Sequence, residues 1–226
     1  EVGVNMSRTI YLTTPLSDEA IRDLRVGDTV FLSGTVYTMR DMGHRRAVEM
    51  LKRGEPLPFD LSRGVLWHCG PIVTKDDSGW RVVAAGSTTS SRFTLLGSEL
   101  IKKFDIKLTM GKGTMGQAAV DTMKEKGSCY LTATGGCAVL YGNQISRVID
   151  VHWEDLGLPE AIWVLEVKNL GPFIVGIDSE GTSLYDLKRE ELSRNLREIY
   201  ALHGLDPSKC YAYLPKRVPG SAVCNG

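Results

Sequence analysis

The sequence carries no excess of charge of either sign. Its 226 residues include 27 lysines and arginines and 27 aspartates and glutamates, so the formal net charge at pH 7 is zero. Proteins that bind nucleic acid or anionic membranes over a broad surface usually have a basic excess, and this balance argues against both functions. Any basic residues that bind a ligand must therefore be concentrated in one place.

Long apolar runs and targeting signals are also missing. No apolar run approaches the ~18 residues that a membrane-spanning helix needs, and the first residues show no basic segment followed by an apolar core. We therefore expect a cytoplasmic protein with neither a nucleic-acid partner nor a membrane partner. Met6 is a candidate for the natural start, with residues 1–5 left over from preparation of the protein.

Cysteine is scarce, and its spacing is irregular. The five cysteines form no CxxC pair, which argues against a zinc ribbon or an iron–sulfur cluster held by this chain alone. We expect reduced, structural thiols, with Cys129 and Cys137 as small core residues. The sequence also lacks an evident nucleophile–histidine pair, a pair of catalytic carboxylates and a cofactor fingerprint. The cysteines are Cys69, Cys129, Cys137, Cys210 and Cys224.

The pattern of apolar residues predicts a mixed α/β fold. Apolar residues make up 42% of the chain, enough to build a core without disulfides. Strand-like runs interleave with amphipathic helices but do not repeat as regular βα units. We predict one domain over residues 1–226, with an irregular tail over 206–226. Strands are predicted at 9–13, 28–38, 64–71, 80–85, 129–134, 148–153, 162–168 and 173–178. Helices are predicted at 18–24, 41–53, 97–104, 115–126 and 187–203, and residues 136–142 are ambiguous.

Three polar stretches lie at predicted junctions of strand and helix. The first, Gly111-Lys112-Gly113, directly precedes the predicted helix at 115–126. Free backbone N–H groups, the helix dipole and the lysine charge would favour a carboxylate or a phosphate there. A turn with a solvated lysine is the alternative. The spacing does not match a Walker A loop, because Ile106 stands where that motif begins with glycine.

The second stretch is Thr38-Met39-Arg40-Asp41. Arg40 ends a predicted strand, a position that suits bidentate binding of a carboxylate, whereas Asp41 can cap the helix that follows. His44 lies one turn further on. We interpret it as a structural residue and not as a metal ligand, because no second histidine follows at i+4.

The third stretch is Gly86-Ser87-Thr88-Thr89-Ser90-Ser91-Arg92. The glycine allows a tight turn, the hydroxyls can donate or accept hydrogen bonds, and the arginine adds a charge. An ordinary polar loop is the alternative. Together the three stretches offer two arginines, a lysine and several hydroxyls, which suits a small molecule with two carboxylates.

In their order along the chain, at 38–41, 86–92 and 111–113, these stretches resemble the iron–sulfur-dependent class I fumarate hydratase and L-tartrate dehydratase family. The match is to its β subunit, which is equivalent to the C-terminal domain of single-chain members. It extends to Glu160-Ala161-Ile162-Trp163 and covers roughly residues 10–187. The resemblance implies a swivelling β/β/α domain with mixed sheets and flanking helices. Two departures lie beside the site, because Ser87 replaces the usual proline and Thr114 replaces a common glycine.

The resemblance also implies a function. The chain would be the β subunit of a hydro-lyase, in a hetero-oligomer with an α subunit that holds a [4Fe–4S] cluster, and would not itself ligate the cluster. The substrate-binding residues would be Arg40, Arg92, Lys112 and Gly113. The catalytic residues would be Thr88, Thr89 and Lys112, with Thr88 as the candidate base. A threonine hydroxyl needs strong local positive charge to act in that role.

Two substrates and two other classes of function stay open. The favoured reaction is the reversible hydration of fumarate to (S)-malate. Dehydration of L-tartrate is a close variant, in which Ser87, Ser90 or Ser91 would contact the additional hydroxyl. A non-catalytic, anion-binding regulatory domain and a purely structural module are the alternatives. The structural module predicts that the two arginines and the lysine lie on separate faces.

Overall fold

A computed structural model of the chain describes residues 8–77, 79–206 and 208–209. These residues form two compact units, one ending at Leu184 and one beginning at Tyr185. Several features named above lie outside the described residues: the candidate start at Met6 with residues 1–5, two cysteines (Cys210 and Cys224), and most of the predicted tail.

The first unit is built on a sheet that partly closes on itself. Its strands are β1 (Thr9–Thr13), β2 (Thr29–Thr38), β3 (Val65–Trp67), β4 (Cys69–Asp76), β5 (Gly79–Ser87), β6 (Leu108–Gly111), β7 (Cys129–Thr132), β8 (Ile145–His152) and β9 (Ile162–Ile177). Seven of them form one sheet in the order β1-β2-β3-β6-β7-β9-β8, and an additional pairing of β2 with β9 makes the sheet barrel-like. Strands β4 and β5 form a separate antiparallel hairpin.

The described residues also form α-helices. They are α1 (Asp18–Asp23), α2 (Asp41–Lys52), α3 (Thr94–Phe104), α4 (Gln117–Lys126), α5 (Ala138–Gly142) and α6 (Leu184–Leu202). The described part of the second unit consists of α6 and the turn that follows it. Within the described residues, no helix combines the length and the hydropathy that a membrane span requires.

The buried apolar residues form two clusters, one on each side of the strands. Val65 and Trp67 belong to the first cluster, whereas Leu66 between them belongs to the second. Successive side chains of a strand point to opposite faces, so a strand with apolar residues throughout is buried on both. The second cluster includes residues of α2, α3 and α4, and it supports the strand ends that carry the polar stretches.

The mixed α/β fold predicted from the sequence is confirmed. Ser17 is the N-cap of α1, and its Oγ accepts a hydrogen bond from Ala20 N. Some boundaries were wrong. The predicted strand at 64–71 is interrupted at His68, and β6 was not predicted at all. The two strands predicted between 162 and 178 are one long strand, β9.

Candidate active site

The three polar stretches meet at one edge of the sheet. Strands β2, β3 and β6 are parallel neighbours, and their register sets Thr38, Trp67 and Met110 side by side. The chain therefore leaves all three strands at the same edge, with Arg40 following β2 and Lys112 following β6. The carboxyl edge of parallel strands is where α/β proteins usually bind their ligands.

Backbone hydrogen bonds join the hydroxyl-rich stretch to this edge. Thr88 N donates to His68 O at 2.6 Å, and Lys112 N donates to Thr88 O at 3.1 Å. Ser90 N in turn donates to Lys112 O at 3.1 Å, so that Thr89 and Lys112 form a parallel bridge. The structure thus brings both predicted catalytic threonines beside the predicted lysine.

An ion pair brings the two arginines together. Arg92 Nε donates to Asp41 Oδ1 at 3.1 Å, and a second nitrogen of the guanidinium contacts Asp41 Oδ2. Since Asp41 directly follows Arg40, both arginines lie at the start of α2. Partial burial alone would raise the pKa of Asp41, but the Arg92 guanidinium outweighs it and the pKa is lowered. The two arginines are therefore neighbours, and the backbone of Lys112 lies at the same edge of the sheet.

The carboxylate of Asp41 does not cap α2, contrary to the sequence-based prediction. Arg40 is the N-cap residue and makes no capping hydrogen bond with its side chain. Met42 N at the helix start instead donates to Glu160 Oε2 at 2.9 Å. Asp41 is engaged by Arg92, a partner 51 residues away that local sequence patterns cannot reveal.

Glu160 is a residue of the site that the sequence analysis did not assign. Its Oε1 lies 3.4 Å from Arg40 Nε, an ion-pair contact that lacks hydrogen-bond geometry, and Arg40 Nε is otherwise buried without a partner. Glu160 thus contacts both the helix start and the predicted substrate-binding arginine. The available signal was the Glu160–Trp163 motif, which contributed to the family resemblance.

The Lys112 loop is not at a helix N-terminus, and this corrects the predicted anion cradle. Helix α4 begins at Gln117, and the N–H of its N-cap residue Gly116 donates to Thr94 Oγ1 at 2.9 Å. Lys112 lies instead at the carboxyl end of β6 with an exposed side chain. Gly113 follows it with a left-handed φ of +74°, a conformation that favours glycine.

Two buried histidines lie beneath the edge. His44 is fully buried and donates from Nδ1 to Arg40 O at 2.8 Å, while its ring stacks on Phe93 at 4.5 Å between centroids. His68, equally buried, has Nδ1 2.9 Å from Ser90 Oγ. Burial lowers the pKa of His44 to about 4 and that of His68 well below its usual value, so both rings are neutral at pH 7. The structure supports a structural role for His44.

The cysteines of the described residues differ in their surroundings. Cys69 and Cys129 are fully buried, and burial raises the pKa of both thiols, that of Cys129 to about 12. Cys137 is only half-buried, which corrects its prediction as a core residue. In the part of the chain that the structure describes, no three histidine, cysteine or acidic side chains group in a way that could hold a metal ion.

Comparison of the sequence with known proteins identifies the family of the chain. Residues 2–188 match the model of the family described as Fumarase C-terminus, and the chain belongs to that family. It is 43% identical over 173 residues to the L(+)-tartrate dehydratase subunit beta of Escherichia coli strain K12, covering 76% of this chain and 85% of that protein.

Two further relatives extend the comparison. A Methanocaldococcus jannaschii protein provisionally named L(+)-tartrate dehydratase subunit beta is 42% identical over 193 residues, which is 85% of this chain and 99% of that protein. A Geobacillus stearothermophilus protein provisionally named fumarate hydratase class I is 41% identical over 189 residues, 83% of this chain but 36% of that protein. The chain is thus related to β subunits and to part of a longer protein, all named for hydro-lyases.

Proposed function

We propose that this chain is the β subunit of a hydro-lyase that reversibly adds water to a four-carbon dicarboxylate. The observation that carries the proposal is that the chain segments holding Arg40, Lys112 and the two threonines meet at one carboxyl edge, where Arg92 pairs with Asp41. Guanidinium and ammonium groups in one place suit a ligand with two carboxylates. The names of the relatives support the reaction class.

The roles of the residues follow from their surroundings. The exposed ammonium group of Lys112 binds one carboxylate of the substrate, and Arg92, held by Asp41, binds the other together with Arg40. Thr88 and Thr89 belong to the stretch whose backbone pairs with Lys112, and in this proposal their hydroxyls face the reacting carbons. A threonine hydroxyl that takes a proton from carbon needs such cations nearby, because they stabilise its ionised form.

A second subunit is part of the proposal. The relatives that match along most of their length are named as β subunits, which supports an α subunit as the partner in a hetero-oligomer. The described residues offer no ligand set for a [4Fe–4S] cluster. In this proposal the cluster belongs to the α subunit, as the family resemblance implies.

Fumarate and (S)-malate are the first candidate substrates. Of the serines that would contact an additional hydroxyl, Ser87 accepts a hydrogen bond from Trp67 Nε1 at 2.8 Å, and Ser90 is buried against His68. Only the third, Ser91, is exposed, which favours a substrate with one hydroxyl. L-Tartrate is the second candidate, because two of the relatives carry that name.

The test is an anaerobic turnover assay with this chain alone, with the α subunit alone and with both. Fumarate, (S)-malate and L-tartrate are supplied in parallel. Turnover of one of them only in the mixed sample, with the cluster intact, supports the proposal and identifies the substrate. Absence of turnover on all three would leave the anion-binding domain as the better account.

A further inference from the structure

A chain of buried polar side chains connects the hydroxyl-rich stretch with the Lys112 loop. Ser90 Oγ lies 2.9 Å from His68 Nδ1 and 2.9 Å from Tyr130 Oη. Tyr130 Oη also lies 3.1 Å from Gly113 O. His68, Ser90 and Tyr130 are each fully buried. We call these three residues the buried brace.

The three contacts of the buried brace can all be hydrogen bonds at the same time, each with its own donor hydrogen. The Tyr130 hydroxyl donates to the carbonyl of Gly113, the Ser90 hydroxyl donates to Tyr130 Oη, and His68 Nδ1–H donates to Ser90 Oγ. A neutral imidazole has the single N–H that this requires. Hydrogen bonds in such a chain polarise and strengthen one another in a buried setting.

The Lys112 loop depends on these contacts for its conformation. Gly113 has a left-handed φ, and its carbonyl accepts from the hydroxyls of both Tyr130 and Thr132, the latter at 2.9 Å. The backbone of Lys112 is bonded on both sides to the hydroxyl-rich stretch, through Thr88 O and Ser90 N. The hydroxyl-rich stretch and the Lys112 loop are therefore joined twice. Their backbones pair with each other, and the buried side chains of Ser90 and Tyr130 connect them as well.

From this geometry we infer that Tyr130, through Ser90 and His68, is a positioning residue for Lys112 and Gly113. The inference rests on the proposed function, because it gives Lys112 its task of binding a substrate carboxylate. Tyr130 itself is buried and contacts no substrate. Its hydroxyl fixes the loop that carries Lys112, and Lys112 contacts the substrate.

The test compares two buried tyrosines in the complex with the α subunit. Tyr130→Phe removes the hydroxyl of the brace and keeps the ring. Tyr141→Phe is the matched control: Tyr141 is 1% exposed, and its hydroxyl accepts from Thr134 N and donates to Pro172 O. Each variant loses one buried hydroxyl, so their losses of stability should be similar.

Tyr130→Phe should raise KM for the diacid by about tenfold or more with a smaller change in kcat, because a misplaced lysine weakens binding of the substrate. Tyr141→Phe should leave KM within about twofold. In hydrogen–deuterium exchange, the amides of Ser90 and Lys112 should exchange faster in Tyr130→Phe only. If that variant folds poorly, Ser90→Ala should change KM and exchange in the same direction.

Unchanged KM and unchanged exchange in both brace variants would overturn the inference, as would equal changes in Tyr141→Phe. A wild-type complex that turns over neither fumarate nor L-tartrate would count against the proposed function instead. In that case hydrogen–deuterium exchange at the amides of Ser90 and Lys112 still decides whether the buried brace fixes the Lys112 loop.

Discussion

Glu160 contacts two parts of the candidate site through a single carboxylate. One oxygen accepts a hydrogen bond from Met42 N at the start of α2, and the other faces the buried Nε of Arg40. The side chain of Glu160 is 16% exposed and that of Arg40 is 28% exposed. Because the Arg40 charge is largely shielded from solvent, its ionic partner contributes much of its stabilisation. Removing the Glu160 carboxylate therefore affects both the start of α2 and Arg40.

Glu160→Ala should lower the free energy of unfolding by about 1–3 kcal/mol, since it removes a helix cap and leaves the Arg40 charge uncompensated. Urea unfolding at pH 7 measures this change. The matched control is Glu166→Ala on β9, the strand that follows Glu160. The pair of Glu166 with Arg147 is exposed on both sides and should contribute less than about 1 kcal/mol. Equal losses in the two variants would contradict the role given to Glu160.

The identity of the charged residues could be predicted from the sequence, but their pairing could not. Arg40, Arg92 and Lys112 were selected because each stands beside a strand or helix terminus with glycines or hydroxyls nearby. Asp41 was assigned to the helix cap because local patterns favour acidic residues there. Its actual partner, Arg92, becomes its neighbour only through the tertiary fold.

At the scale of elements, helix α2 could be predicted from its periodicity, whereas the short buried strand β6 could not. Helix α2 carries an apolar face at helical spacing, and its predicted start at Asp41 is confirmed. Strands β3 and β6 have three and four residues, all buried. Such short runs show no period that distinguishes a strand from a loop. Because β6 was not predicted, the Lys112 loop was assigned to the start of a helix. In the structure the loop follows the end of a strand.

Substitution of Gly111, the last residue of β6, tests how closely this end of the strand packs against Ser90. A Cβ added there would lie 1.9 Å from Ser90 Oγ, so the serine would have to move. Gly111→Ala should therefore lower the free energy of unfolding by about 1–3 kcal/mol. Gly135→Ala is the control, since nothing lies within 4 Å of its added Cβ. Thermal unfolding of both variants checks the difference, and equal stability would contradict the packing described.

The contact of α1 with the start of β6 predicts a dependence on pH. Arg63 and then Lys107, both bonded to Asp18, lower the pKa of this carboxyl to about 2 from its usual 3.8. A carboxyl with a lowered pKa in the folded state stabilises the fold above its unfolded pKa and loses that contribution as the pH falls.

The Tm of Asp18→Asn should therefore lie below the wild-type Tm by a constant amount above about pH 4, because the wild-type carboxyl is ionised there. The gap should close as the pH falls from about 4 towards 2. Melting curves recorded between pH 2 and pH 7 measure it. A gap that stays constant over the whole range would show that the charge of Asp18 is not what stabilises this contact.

At the scale of the whole molecule, the site depends on the order of the parallel strands in the sheet. Its residues come from three stretches separated by tens of positions, and none of the three is distinctive alone. The parallel register of β2, β3 and β6 brings them to one edge. The sequence could predict the family from the order of the motifs. It could not predict the buried brace, because Tyr130 and His68 resemble ordinary core residues until their hydrogen bonds are known.

The central claim is that Lys112 binds a carboxylate of the substrate, and one comparison tests it most directly. Lys112→Ala and the control Lys103→Ala, both at exposed lysines, are assayed in the complex with the α subunit. Because a charge-assisted hydrogen bond is lost, kcat/KM of Lys112→Ala should fall by about 100-fold with an unchanged Tm. Lys103→Ala should behave as wild type. Wild-type kinetics in Lys112→Ala would contradict the account.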